Sequence, residues 1–508
     1  MNLLSSTTVF SFYTMLSRVL GYFRDILIAI FLGTSIYADA FFVAFRLPNT
    51  FRRLFAEGTF NAAFIPSYTS ERLKGKIQGK KFADEVLTLL VLGILTIVLI
   101  VEIFTPYVVY LIAPGFIEDN IKFNLAVDLT RITFPFLAFV TLSSFFAGIL
   151  NSENKFAAAA AAPIFLNLIL ILSLAISYYL KLDYAYYLSY GVSISGFIQL
   201  IFLIFFASKY YQPSLAFKNK IRQKVKFFLK KLLPSIFSSG VIQISILVGT
   251  IIASFQAGAV SYLYYADRIY QINLAIAGIA VSTVSLPVLS KLIKNKKINQ
   301  ANKIQNKSIE LSLLLSLPAS VALIIGSDEI VNALFGYGSF TEKDIELTSL
   351  ALRYFGYGIP AFAILKIFAN FFFARDNTIT PFKVSSIVVL INVAISILFF
   401  KQIGFIIIPI ATTLSTWIGV FCYLYLLLKI DYLKIDPRFL TNFVKIVFST
   451  LIMSYVFHVG LNYFAKNLSY SSDYKILYLL FIVICVALLY FLICYFLKIL
   501  NLRSFKTN

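Results

Sequence analysis

The sequence predicts an all-α polytopic membrane protein of about fourteen transmembrane helices. They form two six-helix lobes around a central cationic cavity, followed by two C-terminal helices. Three observations predict this class. First, the 508 residues are 60% hydrophobic and only 13% charged, against about 25% charged in soluble domains, and the mean hydropathy is +0.86. Second, apolar segments of about 20 residues, each able to cross a hydrocarbon core of about 30 Å, recur along the whole chain. Third, the two halves carry matching sequence landmarks in the same order.

The spans fall near 7–34, 37–65, 86–113, 128–150, 157–180, 184–208, 232–256, 260–289, 308–327, 346–374, 381–400, 404–428, 440–462 and 475–498. The first apolar segment has no basic leader and runs straight into Arg18 and Arg24, so it reads as a span and not as a cleavable signal. Loops after even-numbered helices are basic. They carry Arg72, Lys74, Lys76, Lys80 and Lys81, then Lys218, Lys220, Arg222, Lys224 and Lys226, then Lys291, Lys294, Lys296 and Lys297. Opposite loops are acidic or neutral, with Glu118 and Asp119 beside Lys122, and later Asp328, Glu329, Glu342, Asp344 and Glu346 beside Lys343. The positive-inside rule then places both termini on the cytoplasmic side of the membrane. It also accounts for most of the net charge of +21 without nucleic acid, since no aromatic stacking platform lines a basic groove.

The repeat superposes Asp39–Arg46 (DAFFVAFR) on Ser261–Arg268 (SYLYYADR). About twenty residues later Pro66 faces Pro287, and Phe145-Phe146-Ala147 with Pro163 and Asn167 matches Phe372-Phe373-Ala374 with Pro381 and Asn392. Repeats six helices apart have the same orientation, as in transporters built from parallel repeats. The expected organisation is an N-lobe over 1–210, a basic cytoplasmic linker over 211–231, a C-lobe over 232–430 and two further helices over 431–508.

Chemistry concentrates between Ser17 and Glu57. A charge at the centre of a membrane helix costs roughly 2.5–3.5 kcal/mol on insertion scales, yet this stretch holds Arg18, Arg24, Arg46, Arg52 and Arg53 against Asp25, Asp39 and Glu57. Ser17, Gly21 and Arg24 share one helix face, as do Asp39 and Arg46, and Arg53 and Glu57 form an i, i+4 pair. Pairing with the three carboxylates, or snorkelling to the rim, is the competing account, but five guanidiniums exceed three acids. Arg131, Arg268, Arg353 and Lys366 add to the surplus from other helices. Guanidinium forks suit bidentate contact with phosphate oxygens and stay charged at any relevant pH, so a phosphate-bearing substrate is expected. Prolines 48, 66, 135, 163, 287 and 381 permit the bending that alternating access needs.

Other chemistries find little material. Cys422, Cys485, Cys494 and the single His458 have no metal-ligand spacing, so no metal or cofactor is assigned. A P-loop is absent, and the longest loops lack the acidic cluster of a membrane glycosyltransferase.

At SRVLGYFRD, at DAFFVAFRLPNTFRRLFAEGTFNAAFIPSY, and again at YYADRIYQ and SLPVLSK, the chain resembles the MurJ (MviN) family of lipid II flippases over essentially its full length. The resemblance implies the multidrug/oligosaccharidyl-lipid/polysaccharide (MOP) exporter fold. It implies a transporter moving lipid II, undecaprenyl-diphosphate bearing a disaccharide-pentapeptide, from the cytoplasmic to the periplasmic leaflet for cell wall synthesis. Membrane lipids and cell wall synthesis proteins are the expected neighbours, and nucleic acid is not. It maps head-group binding onto Arg18, Arg24, Arg52, Arg53 and Arg268, with Ser17, Gly21, Asp39 and Glu57 in support or gating, to which the helix face shared with Asp39 adds Arg46. One departure is Ile272-Asn273, where the family commonly has Phe-Pro after the arginine. Export of another polyprenyl-linked glycan is the alternative within the class, and a membrane-embedded glycan polymerase or scaffold the alternative outside it.

Overall fold

The computed structural model describes residues 3–56, 59–216 and 222–499, with side chains described outside 3–7, 54–56, 59, 62 and 231–242. Among the described residues every regular element is helical. Ten stretches are long and apolar enough to cross a membrane.

The chain divides into two compact units, Met1–Ser261 and Tyr262–Asn508. The first contains α1 (Leu3–Leu32), α2 (Ile36–Ala56), α3 (Thr59–Leu73), α4 (Lys76–Ile103), α5 (Thr105–Ile112), α6 (Asn120–Thr133), α7 (Phe136–Ser152), α8 (Phe156–Leu180), α9 (Tyr184–Ala207) and α10 (Gln223–Ala253). From the boundary onward come α11 (Ala259–Leu274), α12 (Val281–Lys294), α13 (Ile298–Ile325), α14 (Ser327–Phe335) and α15 (Glu342–Phe373). The remaining helices are α16 (Ile379–Ile403), α17 (Ile407–Lys429), α18 (Pro437–Tyr463) and α19 (Lys475–Phe496).

Several expected spans are composite. The span expected over 128–150 is the continuous run Asn120–Ser152, interrupted at Pro135, which has no N–H to donate. Ser193 of α9 caps the interruption by donating its hydroxyl to the Ile132 carbonyl. The span expected over 260–289 is α11, a π-helical turn over Ala275–Ala280, and α12. Ile272-Asn273 supplies no proline there, so the helix widens without breaking, and Ser312 of α13 donates to the Ala277 carbonyl inside the turn at 3.1 Å.

Aromatic side chains fill the first unit's core. Phe60, Phe64, Tyr68, Phe82, Phe145 and Phe228 form one buried cluster, with Phe64 stacked on Phe60 and Tyr68 at 5.1 and 5.6 Å between ring centres. The second unit packs Phe368, Phe371, Phe372 and Tyr423 in the corresponding way.

Three prolines inside helices share one solution to a backbone problem. A helical proline orphans the carbonyl four residues earlier, and an orphan in an apolar interior is costly. Pro48 of α2 frees the Ala44 carbonyl, which accepts from Thr133 Oγ1 of α6 at 3.0 Å. Pro318 of α13 frees Leu314, which accepts from the Tyr490 hydroxyl of α19 at 2.8 Å. Pro360 of α15 frees Gly356, which accepts from Ser320 Oγ of α13 at 2.7 Å. Each proline therefore converts a bond within a helix into a bond between helices.

Candidate functional site

Helix α1 lies along α8, and the contact is organised by the lone amide of an otherwise apolar stretch, Asn167. Its Nδ2 donates to the Ser17 carbonyl at 2.8 Å and reaches Ser17 Oγ at 3.3 Å. Its Oδ1 accepts from Arg24 Nη1 at 2.9 Å. Gly21 sits between the two, and a Cβ there would rest 3.4 Å from both polar atoms of the amide. The Asn167 head lies directly over Gly21, at ordinary van der Waals distance from where a side chain would begin. Ser17, Gly21 and Arg24, expected on one helix face, are thus joined through a single residue of α8.

Arg24 is only 5% exposed. Its Nε and Nη2 both donate to Asp25 Oδ1, at 3.0 and 2.6 Å. Consecutive helical residues point in different directions, so this pair forms only because the long arginine side chain turns back toward its neighbour. Burial raises the stakes: an ion pair in low dielectric is strong, but removing one partner strands the other.

Asp39 has no exposed surface and organises a second cluster. Its Oδ2 accepts from Lys122 Nζ of α6 at 2.6 Å and from the Gly258 amide at 2.9 Å. Its Oδ1 accepts from the Ser261 amide at 3.0 Å and the Ser261 hydroxyl at 2.6 Å. Lys122 also lies 4.1 Å over the Phe116 ring. Nearby, Gly115 donates to Ser254 Oγ at 3.0 Å, and a Cβ on Gly115 would come within 2.5 Å of the Phe255 backbone, so only glycine allows that approach.

The remaining expected residues are distributed as follows. Arg18 is exposed, and Arg46, Arg52 and Arg53 are half-buried; Arg52 Nε donates to Asn49 Oδ1 at 3.0 Å. Glu57 lies outside the described residues, so the Arg53–Glu57 pair does too. Arg268, in the second unit, donates to the Tyr264 hydroxyl at 2.8 Å and stacks over that ring at 4.7 Å. Arg353, counted in the sequence among surplus cations, is instead paired, with Asp328 at 2.9 Å and Ser327 Oγ at 3.2 Å. Its acid comes from α14, beyond the reach of any spacing rule.

Asn167 and Lys122 were not singled out for the site by their sequence. The signal for Asn167 was present, as an uncharged polar residue within an apolar span, where such residues usually bond across helices. Lys122 looked like the one base of an acidic loop, and nothing local indicates that it is buried.

An all-helical chain with ten stretches able to cross a membrane, and a buried guanidinium in its first unit, is of the class of helical membrane transporters, and its fold is that of the MOP transporters. A multidrug resistance MATE family transporter of the MOP superfamily, in its inward-facing conformation, superposes with a TM-score of 0.67 at 16% identity, covering 84% of this chain and 98% of that one; this likeness is of fold. The family described as lipid II flippase MurJ matches residues 28–479. Probable lipid II flippases MurJ of Rhizobium meliloti (strain 1021) and Rickettsia prowazekii (strain Madrid E) are 38% and 35% identical to this chain. The first alignment covers 90% of this chain and 87% of the relative, the second 99% of each. A structure of lipid II flippase MurJ in an inward closed conformation superposes with a TM-score of 0.82 at 29% identity, covering 97% of this chain and 99% of that one. The chain belongs to the MurJ family of lipid II flippases, which are transporters and not enzymes.

Proposed function

We propose that this protein carries lipid II from the cytoplasmic to the periplasmic leaflet of a bacterial inner membrane by alternating access. The observation that supports the reading most directly is the Arg24 cluster: a guanidinium buried between α1 and α8, which in a chain read as spanning the membrane carries an energetic cost that a neutral cargo would not repay. Asp39 is taken up by Lys122, so it does not reduce the excess of arginines over acids that the sequence shows. Arg18, Arg24, Arg52 and Arg53 of the first unit, and Arg268 as the corresponding cation of the second, receive the diphosphate and head group. Ser17, Gly21, Asp39, Arg46 and Glu57 support or gate them.

In this reading the isoprenoid tail stays in lipid while the head group crosses. Residues 1–210 and 232–430 act as the two lobes, 211–231 as the linker between them, and 431–508 as the accessory pair of helices. Both termini face the cytoplasm, and cell wall synthesis proteins consume the delivered precursor. The test is Arg24→Ala, Arg53→Ala and Arg268→Ala, each assayed for periplasmic exposure of the lipid-linked precursor at matched protein levels. A marked loss is expected in each, and normal translocation in all three would overturn the assignment.

A further inference from the structure

Arg24 is held from two sides by groups of different character, and neither is among the residues assigned to the head group above. Asn167 is neutral, comes from another helix, and is 6% exposed. Its polarity is fixed by its surroundings: Nδ2 faces the Ser17 carbonyl, so Oδ1 must face the guanidinium. The reverse orientation would set donor against donor. Asn167 therefore fixes Nη1 of Arg24 without cancelling its charge. Asp25 is charged, 2% exposed, and occupies the Nε–Nη2 edge of the same guanidinium through one oxygen. That edge is a side on which a guanidinium can receive two oxygens of a phosphate.

We propose that Asn167 is the positioning residue for Arg24 and that Asp25 is a built-in counter-anion, holding the guanidinium edge in the unloaded protein and yielding it to the diphosphate. The proposal rests on the anion-site reading of the preceding section. Asp25 lets the protein keep Arg24 buried while it is empty, where an unpaired guanidinium would be strongly disfavoured. Because Asp25 competes with the substrate for the same donors, it also weakens binding enough to permit release. Asn167 keeps Arg24 in place through the exchange, since it uses the opposite edge and has no charge to offer in competition.

The two residues should consequently act in opposite directions on binding. The full-length protein in lipid nanodiscs and in proteoliposomes is compared with Asp25→Asn, Asn167→Ala, Arg24→Ala and the two double variants that contain Arg24→Ala. The probe is undecaprenyl-diphosphate for binding and purified lipid II for flipping, with thermal melting as the check on folding. Asp25→Asn is expected to tighten binding by about tenfold while lowering the maximal flipping rate, and Asn167→Ala to weaken binding by about tenfold, as loss of a hydrogen bond to a charged group should. In the Arg24→Ala background neither change should alter binding further. Asp25→Glu keeps the charge but moves the carboxylate by one methylene, and should tighten binding less than Asp25→Asn does, which separates loss of the charge from a change of shape at this position. If both variants weaken binding, or if either retains its effect without Arg24, the positioning assignment is overturned and the anion site stands. If Arg24→Ala binds and flips normally, the anion-site reading falls, and this proposal with it.

Discussion

Asp39 receives four donors without any exposed surface, and the two ends of its ion pair are not equally dependent on each other. Removing the carboxylate leaves the Lys122 ammonium buried beside Phe116, a situation that costs about 3–5 kcal/mol in buried pairs. Removing the ammonium leaves Asp39 still bonded to Gly258 and Ser261. Asp39→Ala should therefore lower the melting temperature of the purified protein clearly more than Lys122→Met, and equal or reversed losses would show that the backbone donors do not compensate the charge. Glu329, in α14, gives a second expectation at this scale. Its Oε2 is buried and has no hydrogen-bond partner among the described residues. Burial pushes its carboxyl above the ordinary range and the neighbouring Asp328 adds to this, while Arg353 and His458 pull the other way. An acid whose folded pKa lies above its unfolded value favours folding below the ordinary carboxylate range, and that contribution is lost as pH rises through the raised value. Glu329→Gln cannot ionise, so its melting temperature should fall less than the parent's between acid and neutral pH. Parallel curves for the two proteins would refute the shift.

Helices with internal prolines are usually read as hinges, and the sequence supports no more than that. The partner of each freed carbonyl is not legible in sequence, because Thr133 lies 89 residues from Ala44 and Tyr490 lies 176 residues from Leu314. The existence of apolar helices could be read because hydropathy is local, whereas their lengths could not, as the runs Asn120–Ser152 and Ala259–Lys294 exceed the spans expected there. The break at Pro135 could be anticipated from its missing N–H, whereas the π-helical turn at Ala275–Ala280 depends on what packs around it. The bridging role of Thr133 yields a coupled prediction. Thr133→Val keeps the shape but removes the donor, and should destabilise by about 0.6–1.7 kcal/mol, the range for hydrogen bonds inside membrane proteins. Pro48→Ala restores an amide hydrogen that can return the Ala44 carbonyl to its own helix. The cost of Thr133→Val should accordingly shrink in the Pro48→Ala background when unfolding is followed for all four proteins. Additive costs would mean that the proline and the threonine do not serve the same carbonyl.

At the level of the whole molecule, composition and periodic apolar segments were enough for the fold class, and the run from Ser17 to Glu57 was enough for the family. What sequence could not supply was the pairing of charges. Asp39 shares a helix face with Arg46 yet bonds Lys122, and Arg24 turns to its own neighbour Asp25 and to Asn167 of another helix. Such pairings depend on three-dimensional packing, which has no periodicity to read. They matter for energetics, because the charge that stays with the protein does not cross the membrane, whereas the charge on the substrate does. A diphosphate moving outward is driven by an inside-negative potential and gains about 2.3 kcal/mol per charge per 100 mV. If the arginines remain in place while the head group moves, the potential should act on the substrate charge alone. In proteoliposomes with this protein as the sole component, the outward fraction of lipid II should rise with an imposed inside-negative potential and relax when an ionophore removes it. The same distribution at every potential would mean that a compensating charge travels with the head group, and the arginine site would then be a carrier of neutral complexes and not of an anion.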